Sequence, residues 1–231
     1  MCLTSPSHAV IWVAMLLFGS ATRPVAMAPV PGSVSGRVSM AERGNKSATD
    51  VAQAVIWLEG AGAKPGTPKT VAVSTEGKEF RPRIVVVPAG STVNFPNNDP
   101  FNHNVFSLSD EGAFDLGLYG RGQAKSTKFN RAGIIRIYCN VHASMAAFVV
   151  VVDNPWFAQP SGDGSFSVTG VPAGKYKVHV WHERAPELVR EIEVGPQGTA
   201  DLELQLDARG YQFVQHLNKF GQPYSKGGAR Y

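Results

Sequence analysis

Four residues in the middle of the chain have side chains that suit a single copper ion. Cys139, His142 and Met145 follow one another with the spacing Cys-x2-His-x2-Met, and His103 lies upstream in the segment HNVFS. One thiolate, two imidazoles and one thioether form a donor set that stabilises both Cu(I) and Cu(II), with the thioether as a weak axial ligand. The set predicts a mononuclear copper site of the blue, electron-transfer type.

Each of these residue types also has an ordinary structural interpretation when it is taken alone. A buried cysteine usually packs as a small hydrophobic side chain, and a methionine fills space in a core. A histidine at a strand end is more often a hydrogen-bonded structural residue than a ligand. The copper interpretation is favoured because all four types occur together, in this order.

The N-terminal segment has the pattern of a secretory signal. Residues 9–18, AVIWVAMLLF, are continuously apolar and are followed by small residues that permit cleavage after Ala21 or after Ala28. The run is shorter than the roughly 20 residues of a membrane-spanning helix. We therefore predict a signal peptide over residues 1–28, a periplasmic location and no transmembrane anchor; an apolar strand of the folded protein is the alternative.

Cysteine usage agrees with a metal site. The sequence has two cysteines, Cys2 and Cys139, and cleavage of the signal would remove the first. A secreted protein with one unpaired thiol is unusual, because a free thiol invites oxidation or intermolecular pairing. Ligation of Cys139 to a metal explains why no disulfide partner is present.

The distribution of charge argues against a nucleic-acid partner. The 231 residues have a net charge of +4, but residues 29–206 contain 17 Lys and Arg against 17 Asp and Glu, which leaves the body neutral. A neutral body offers no electrostatic footprint for a phosphate backbone. The sequence also has no Ser/His/Asp set in a recognisable context and no intact phosphate loop, so we predict no enzyme site.

Hydrophobic residues recur with a period of two, and Gly and Pro interrupt the pattern often, which predicts an all-β protein. Alternation over residues 134–139 places Ile135, Ile137 and Cys139 on one face and Tyr138 on the other. The run AFVVVV, residues 147–152, predicts a strand inside a sandwich core.

Several strings resemble the cupredoxins, nearest the plastocyanin and amicyanin branch: HNVFS, FNRAGIIRIYCNVHASM and the valine-rich strand that follows. The Cys-x2-His-x2-Met spacing is that of amicyanin, whereas Tyr138 before the cysteine resembles plastocyanin. FPNNDPFNHNVFS, FDLGLY and VWHE resemble a group of periplasmic cupredoxin-containing proteins often labelled methylamine-utilisation proteins. The resemblance covers about residues 69–183 and implies a Greek-key β-sandwich copper domain over residues 69–153.

The resemblance also implies a role for each matching residue. His103 would be the upstream imidazole, Cys139 the thiolate, His142 the exposed imidazole through which electrons leave, and Met145 the axial ligand.

Two neighbours of these ligands have implied roles as well. Asn104 would join the two ligand loops by hydrogen bonds behind the ligands; an ordinary turn asparagine is the alternative. Tyr138 would offer a second electron path. The insert of residues 109–122 departs from the small cupredoxins and is expected to cover part of the site.

Strings on both sides of the copper domain resemble a second small β-sandwich, of the carboxypeptidase regulatory-like, transthyretin type: GSVSGRV, AVIWLEG and GDGSFSVTGVPAGKYKVHVW. Because the first two precede the copper domain and the third follows it, we predict a split sandwich of residues 32–60 and 154–206. The alternative is that the N-terminal strands pack as extra strands of the copper domain. The split arrangement predicts that four side chains lie nearer to Phe166, Val178 and Leu204 than to Val149: Val34, Val38, Val55 and Trp57.

The last segment, residues 207–231, is a basic tail rich in aromatic residues. Phe213, Leu217 and Phe220 fit one face of a short helix. We expect the tail to bury its rings against the body, with partner docking as the alternative.

The combined prediction is a periplasmic blue-copper electron carrier with one copper. Its partner would be a redox protein such as a cytochrome or a periplasmic dehydrogenase. The alternative is a copper-binding accessory or scaffold protein of a periplasmic redox system.

Overall fold

The computed structural model describes residues 32–44, 46 and 48–224, so the predicted signal peptide lies outside the described residues. The described part is built from β-strands and a single 3-10 turn, Val51–Gln53, which confirms the all-β class. None of its helical turns has the length and apolar character needed to cross a bilayer. The strands are β1 Gly32–Ala41, β2 Val55–Gly60, β3 Thr70–Ala72, β4 Ser74–Glu76, β5 Glu79–Arg81, β6 Ile84–Pro88, β7 Ser91–Pro96, β8 His103–Ser107, β9 Phe114–Tyr119, β10 Ala124–Phe129, β11 Gly133–Tyr138, β12 Ala146–Val152, β13 Phe157–Ala158, β14 Ser165–Val171, β15 Gly174–His182, β16 Ala185–Val194 and β17 Thr199–Asp207.

The central strands form two main sheets and a small β4-β5 hairpin, which together we call the central unit. The larger sheet has the order β6-β12-β11-β8-β9 and the smaller has the order β10-β7-β3. One apolar core joins them and includes Phe95, Ile135, Ile137 and Cys139. Arg136, between the two isoleucines, is exposed, so the alternation predicted for β11 is confirmed. The core face of β11 therefore carries the cysteine inward.

The first two strands pair with strands from the end of the chain, and we call this group the outer unit. β1 lies between β14 and β17, and β2 lies between β13 and β15, with β16 beyond. A second apolar core lies between these sheets and includes Val34, Val38, Leu58, Val178 and Leu204. No strand pairing among the described residues joins β1 or β2 to the sheets of the central unit.

The two units meet through a third apolar cluster, which we call the interface cluster. It contains Val55 of β2, Trp181 of β15, and Phe148 and Val150 of β12, with Trp57 packed against it. Val55 and Trp57 therefore pack in the interface cluster, whereas Val34 and Val38 lie in the outer core. Successive side chains of a strand point to opposite faces, and β2 is buried on both of its faces. Ile56 and Leu58 are the residues of β2 that fill the outer core.

The tail follows β17 as loops and turns, without the short helix that the sequence suggested. Phe213 and Phe220 are 70% and 72% exposed, so the expectation that the tail buries these two rings against the body is wrong. The tail contacts the protein instead through His216, Lys219 and Tyr224, all of which reach the central unit near Cys139.

Candidate metal centre

Two neighbouring strands and one loop bring the predicted ligands together. His103 begins β8 and Cys139 directly follows β11; these strands pair at Tyr138 and Phe106. The loop after Cys139 is closed by two backbone hydrogen bonds. The Cys139 N–H donates to the Met145 carbonyl at 3.3 Å, and the Met145 N–H donates to the His142 carbonyl at 3.1 Å. The loop therefore returns His142 to the side of Cys139.

The three donor atoms converge on one point. Cys139 Sγ lies 3.6 Å from His103 Nδ1 and 3.8 Å from His142 Nδ1. The donor atoms of all three residues lie within 4.8 Å of one another. A metal bonded to nitrogen at about 2.0 Å and to sulfur at about 2.3 Å, with bonds about 120° apart, would separate nitrogen and sulfur by roughly 3.7 Å. The observed separations fit a trigonal two-histidine, one-thiolate site.

Burial sets the protonation of these donors. It lowers the pKa of His103 and of His142, so both imidazoles are neutral and keep a lone pair for a metal. Burial raises the pKa of the Cys139 thiol, and backbone N–H groups directed at its sulfur, led by that of Asn104, only partly oppose this. At neutral pH the metal-free site therefore carries a thiol, which must lose its proton to become a ligand.

Asp99 fixes the orientation of His103. Its Oδ2 lies 2.8 Å from His103 Nε2, and both side chains are buried. Burial by itself raises the pKa of Asp99, but hydrogen bonds from the backbone of Lys78, from His103 and from the backbone of Gly77 outweigh it and lower the pKa. The carboxylate therefore accepts a hydrogen bond from the Nε2–H group and leaves Nδ1 free for a metal.

Met145 lies in the same core cluster as Cys139 and is 1% exposed. This burial suits a thioether above a copper ion, and Met145 as axial ligand remains a proposal. The ring of Phe101 lies 5.4 Å from that of His142. His142 is half-buried, whereas His103 is fully buried. Of the two imidazoles, His142 is the one that approaches the surface.

Asn104 contacts Cys139 through its backbone and Asp115 through its side chain. It lies within β8, not in a turn, and its backbone N–H is directed at Cys139 Sγ. Its side-chain Nδ2 donates to Asp115 Oδ1 at 2.6 Å. The segment from 109 to 122, expected to cover the site, forms β9 instead and extends the large sheet beside β8, with Tyr119 opposite His103.

Tyr138 points away from the core, and its ring is stacked on that of His216 at a centroid distance of 4.1 Å. Sequence reasoning identified Tyr138 but missed Asp99, Asp115 and the three tail residues that contact the site. A signal for Asp99 was available, because it precedes His103 by four residues in a buried polar turn. Nothing in the local pattern of the tail indicated its contacts.

Comparison with known families supports a copper centre in the central unit. Residues 69–152 match the family model described as copper binding proteins, plastocyanin/azurin family. The match supports a cupredoxin domain over this segment and makes copper its metal. The cluster of His103, Cys139 and His142 is the candidate that would hold it.

A similar curated protein is a chloroplastic plastocyanin of Chlamydomonas reinhardtii. It is 34% identical over 86 residues, which are 32% of this chain and 58% of the plastocyanin. The chain thus spans little more than half the length of this relative.

Among solved structures, amicyanin from Paracoccus versutus is 25% identical, with a TM-score of 0.34, over 41% of this chain and 97% of amicyanin. A copper-containing nitrite reductase from Thermus scotoductus is 26% identical, with a TM-score of 0.35, over 41% of this chain and 25% of the reductase. TM-scores this low add nothing to the family match.

Proposed function

We propose that this protein is a periplasmic electron carrier with one copper held by His103, Cys139, His142 and Met145. The observation that carries the proposal is the convergence of Cys139 Sγ with the Nδ1 atoms of His103 and His142 at metal-bridging distances. The bound copper would alternate between Cu(I) and Cu(II). The chain's part is to supply a mixed sulfur and nitrogen donor set and to hold it rigidly, so that little rearrangement accompanies each electron.

The electron would enter and leave through His142. This imidazole is less buried than His103, and Phe101 and Ala143 beside it are partly exposed. A small apolar rim of this kind allows close approach of a redox protein without the cost of stripping water from charged groups. The partner class is a cytochrome or a periplasmic dehydrogenase. The resemblance to the methylamine-utilisation group favours a periplasmic setting and names no substrate.

The proposed organisation is a copper domain of residues 69–153 inserted into a second sandwich of residues 32–60 and 154–206. It is supported by the pairing of β1 with β14 and β17 and of β2 with β13 and β15. Separate apolar cores on either side of the interface cluster support it as well. Two chain crossings would hold the copper domain more firmly than one linker.

A second candidate function is a copper-binding accessory or scaffold protein. The outer unit favours it, because a simple carrier has no need of a second sandwich fixed to the copper domain by an extensive apolar interface. In that case the outer unit would bind another protein or a glycan, and copper would serve stability more than electron exchange.

The rate of electron exchange separates the two functions. The copper-loaded protein is mixed with a c-type cytochrome in a stopped-flow instrument, and the wild type is compared with Phe101→Glu and with Val189→Glu. Val189 is exposed on the outer unit and serves as the matched control. A carrier exchanges electrons rapidly, is slowed by Phe101→Glu and is unaffected by Val189→Glu. Tight copper retention with negligible exchange in all three proteins would favour the accessory function.

A further inference from the structure

The tail contacts three consecutive residues where β11 ends and the ligand loop begins: Tyr138, Cys139 and Asn140. The His216 ring is stacked on Tyr138 with an interplanar angle of 15°. The Tyr224 hydroxyl donates to the Cys139 carbonyl oxygen at 2.7 Å. The Lys219 backbone N–H donates to Asn140 Oδ1 at 2.9 Å. A segment distant in sequence therefore makes three independent contacts to the residues that carry the thiolate.

The same segment reaches the sulfur through a chain of polar contacts. Lys219 Nζ lies 2.7 Å from Asp115 Oδ2, and Asp115 Oδ1 accepts a hydrogen bond from Asn104 Nδ2 at 2.6 Å. Asn104 in turn directs its backbone N–H at Cys139 Sγ. An ammonium group on the protein surface is thus connected to the donor atom through a carboxylate and an amide.

The tail is organised locally for this contact. Asn218 holds a turn in which its Oδ1 accepts the N–H groups of Phe220 and Gln222 at 2.9 and 3.1 Å. Gly221 takes a φ of 72°, which a side chain would disfavour. The turn places Lys219 and Tyr224 on the protein side and leaves Phe220 in solvent.

The start of the tail is fixed to the outer unit. The Ala208 N–H donates to the Ala41 carbonyl at 2.9 Å, and Arg43 Nε donates to the Arg209 carbonyl at 2.7 Å. The tail therefore runs from the end of β17 in the outer unit to the metal site in the central unit.

We propose that residues 216–224 form a clasp on the copper site, in which Tyr224 and Lys219 are positioning residues that fix Cys139 and raise the reduction potential of the bound copper. The inference rests on the proposed copper site. Hydrogen bonds directed at a thiolate, and a positive charge near it, reduce its donation to the metal and favour Cu(I) over Cu(II). The clasp also covers Tyr138 with His216, which closes the second electron path and leaves His142 as the exit.

Amide hydrogen exchange in the metal-free, full-length protein tests the positioning role independently of copper. Tyr224→Phe removes only the hydroxyl, and we expect exchange at residues 139–141 to accelerate roughly tenfold, as expected for loss of one hydrogen bond. Tyr211→Phe removes a hydroxyl from the preceding part of the tail and is the matched control. Equal protection in the wild type and both variants would overturn the clasp.

The reduction potential of the copper-loaded protein tests the tuning role. For Lys219→Met we expect the equilibrium constant for one-electron reduction to fall roughly threefold to tenfold, because a positive charge is lost and Asp115 loses its cation. Lys128→Met removes an exposed charge of the same sign from β10 and should leave the potential unchanged. An unchanged potential in Lys219→Met would contradict the proposal. A wild type that binds no copper would instead contradict the proposed function. Amide hydrogen exchange in the metal-free protein would still test the clasp.

Discussion

At the residue scale, burial leaves all three donors uncharged before a metal binds. The pKa of the Cys139 thiol is raised by burial, and the pKa values of His103 and His142 are lowered by it. Metal binding therefore has to displace a proton from sulfur but none from the imidazoles. The number of protons released when a metal binds therefore reports which residues are its ligands.

We predict that copper loading at neutral pH releases one proton per copper. Because the imidazoles are already neutral and the thiol is protonated, affinity should fall about tenfold for each pH unit of acidification until the histidines begin to protonate. Calorimetry in buffers of different ionisation enthalpy measures the proton count, with Cys139→Ser as the control. Release of two or more protons would show that an imidazole is charged in the metal-free site, and release of none would exclude the thiol as a ligand.

A second prediction concerns the carboxylate behind His103. Asp99→Asn replaces an anion by a neutral amide, so the imidazole becomes a weaker donor to Cu(II) and the reduction potential should rise. Copper affinity should fall roughly 10-fold to 100-fold, the usual effect of removing such a partner. Protein-film voltammetry gives the potential, and Asp110→Asn, an exposed carboxylate near β9, is the control. A lower potential in Asp99→Asn would count against this role.

Residue types and spacing were enough to assemble the candidate donors from the sequence, because copper needs a recognisable set of soft and imidazole ligands. The partners behind them were harder to predict. Asp115 is an ordinary acidic residue whose role depends on which strands become neighbours. The same is true of Tyr224, which lies 85 positions from the carbonyl it contacts. Sequence pattern reports local periodicity and carries no signal for such pairs.

At the element scale, two strands explain why the apolar runs are so long. β12 directs Val149 and Val151 into the central core and Val150 and Val152 into the interface cluster. β2 divides its side chains in the same way between the outer core and the interface. The prediction of a core strand for the run AFVVVV is confirmed, and the run AVIWL forms a strand as predicted. Their second faces were not predicted, because a continuous apolar run does not say which neighbour covers each side.

The junction of β1 with β17 gives the prediction at this scale. A Cβ at Gly36 would overlap the backbone of Leu202, so Gly36→Ala should destabilise the outer unit by about 2 kcal/mol or more. Trp57, Trp156 and Trp181 all lie in strands or loops of the outer unit and report on it by fluorescence. Urea unfolding should therefore show an earlier fluorescence transition, while the copper absorption of the central unit persists.

Gly162→Ala is the matched control for this experiment, because a Cβ there meets no atom within 4 Å. Loss of the copper absorption at a urea concentration that leaves tryptophan fluorescence native would place β1 in the copper-binding part instead.

At the scale of the whole molecule, an ion pair adds to the apolar packing between the two units. Arg83 next to β6 donates to both carboxylate oxygens of Glu183 at 2.6 and 2.7 Å, and it donates to the Ala146 carbonyl at 3.0 Å. Hydrogen bonding to Glu183 raises the pKa of Arg83, and Glu183 is 10% exposed. This pair connects the end of β15 to the end of the ligand loop.

Glu183→Gln should loosen the connection between the units. Breaking a fully buried pair costs several kcal/mol, but Arg83 is 37% exposed, so we expect a loss of about 1–2 kcal/mol. In the wild type, the unfolding transitions followed by fluorescence and by copper absorption should coincide. In Glu183→Gln the two transitions should occur at different urea concentrations. Glu191→Gln, an exposed carboxylate of β16, should leave them together. Coincident transitions in Glu183→Gln would show that the interface cluster alone couples the units.

In the proposed site, Cys139 and the imidazoles of His103 and His142 hold one copper ion. The most direct test is an anaerobic titration of the metal-free protein with Cu(II), followed by absorption spectroscopy. We expect an intense blue band from the short thiolate bond that saturates at one copper per chain. Cys139→Ser should lack the band, because a hydroxyl is a hard and weak substitute. A pale wild-type spectrum, or an intact blue band in Cys139→Ser, would contradict the account.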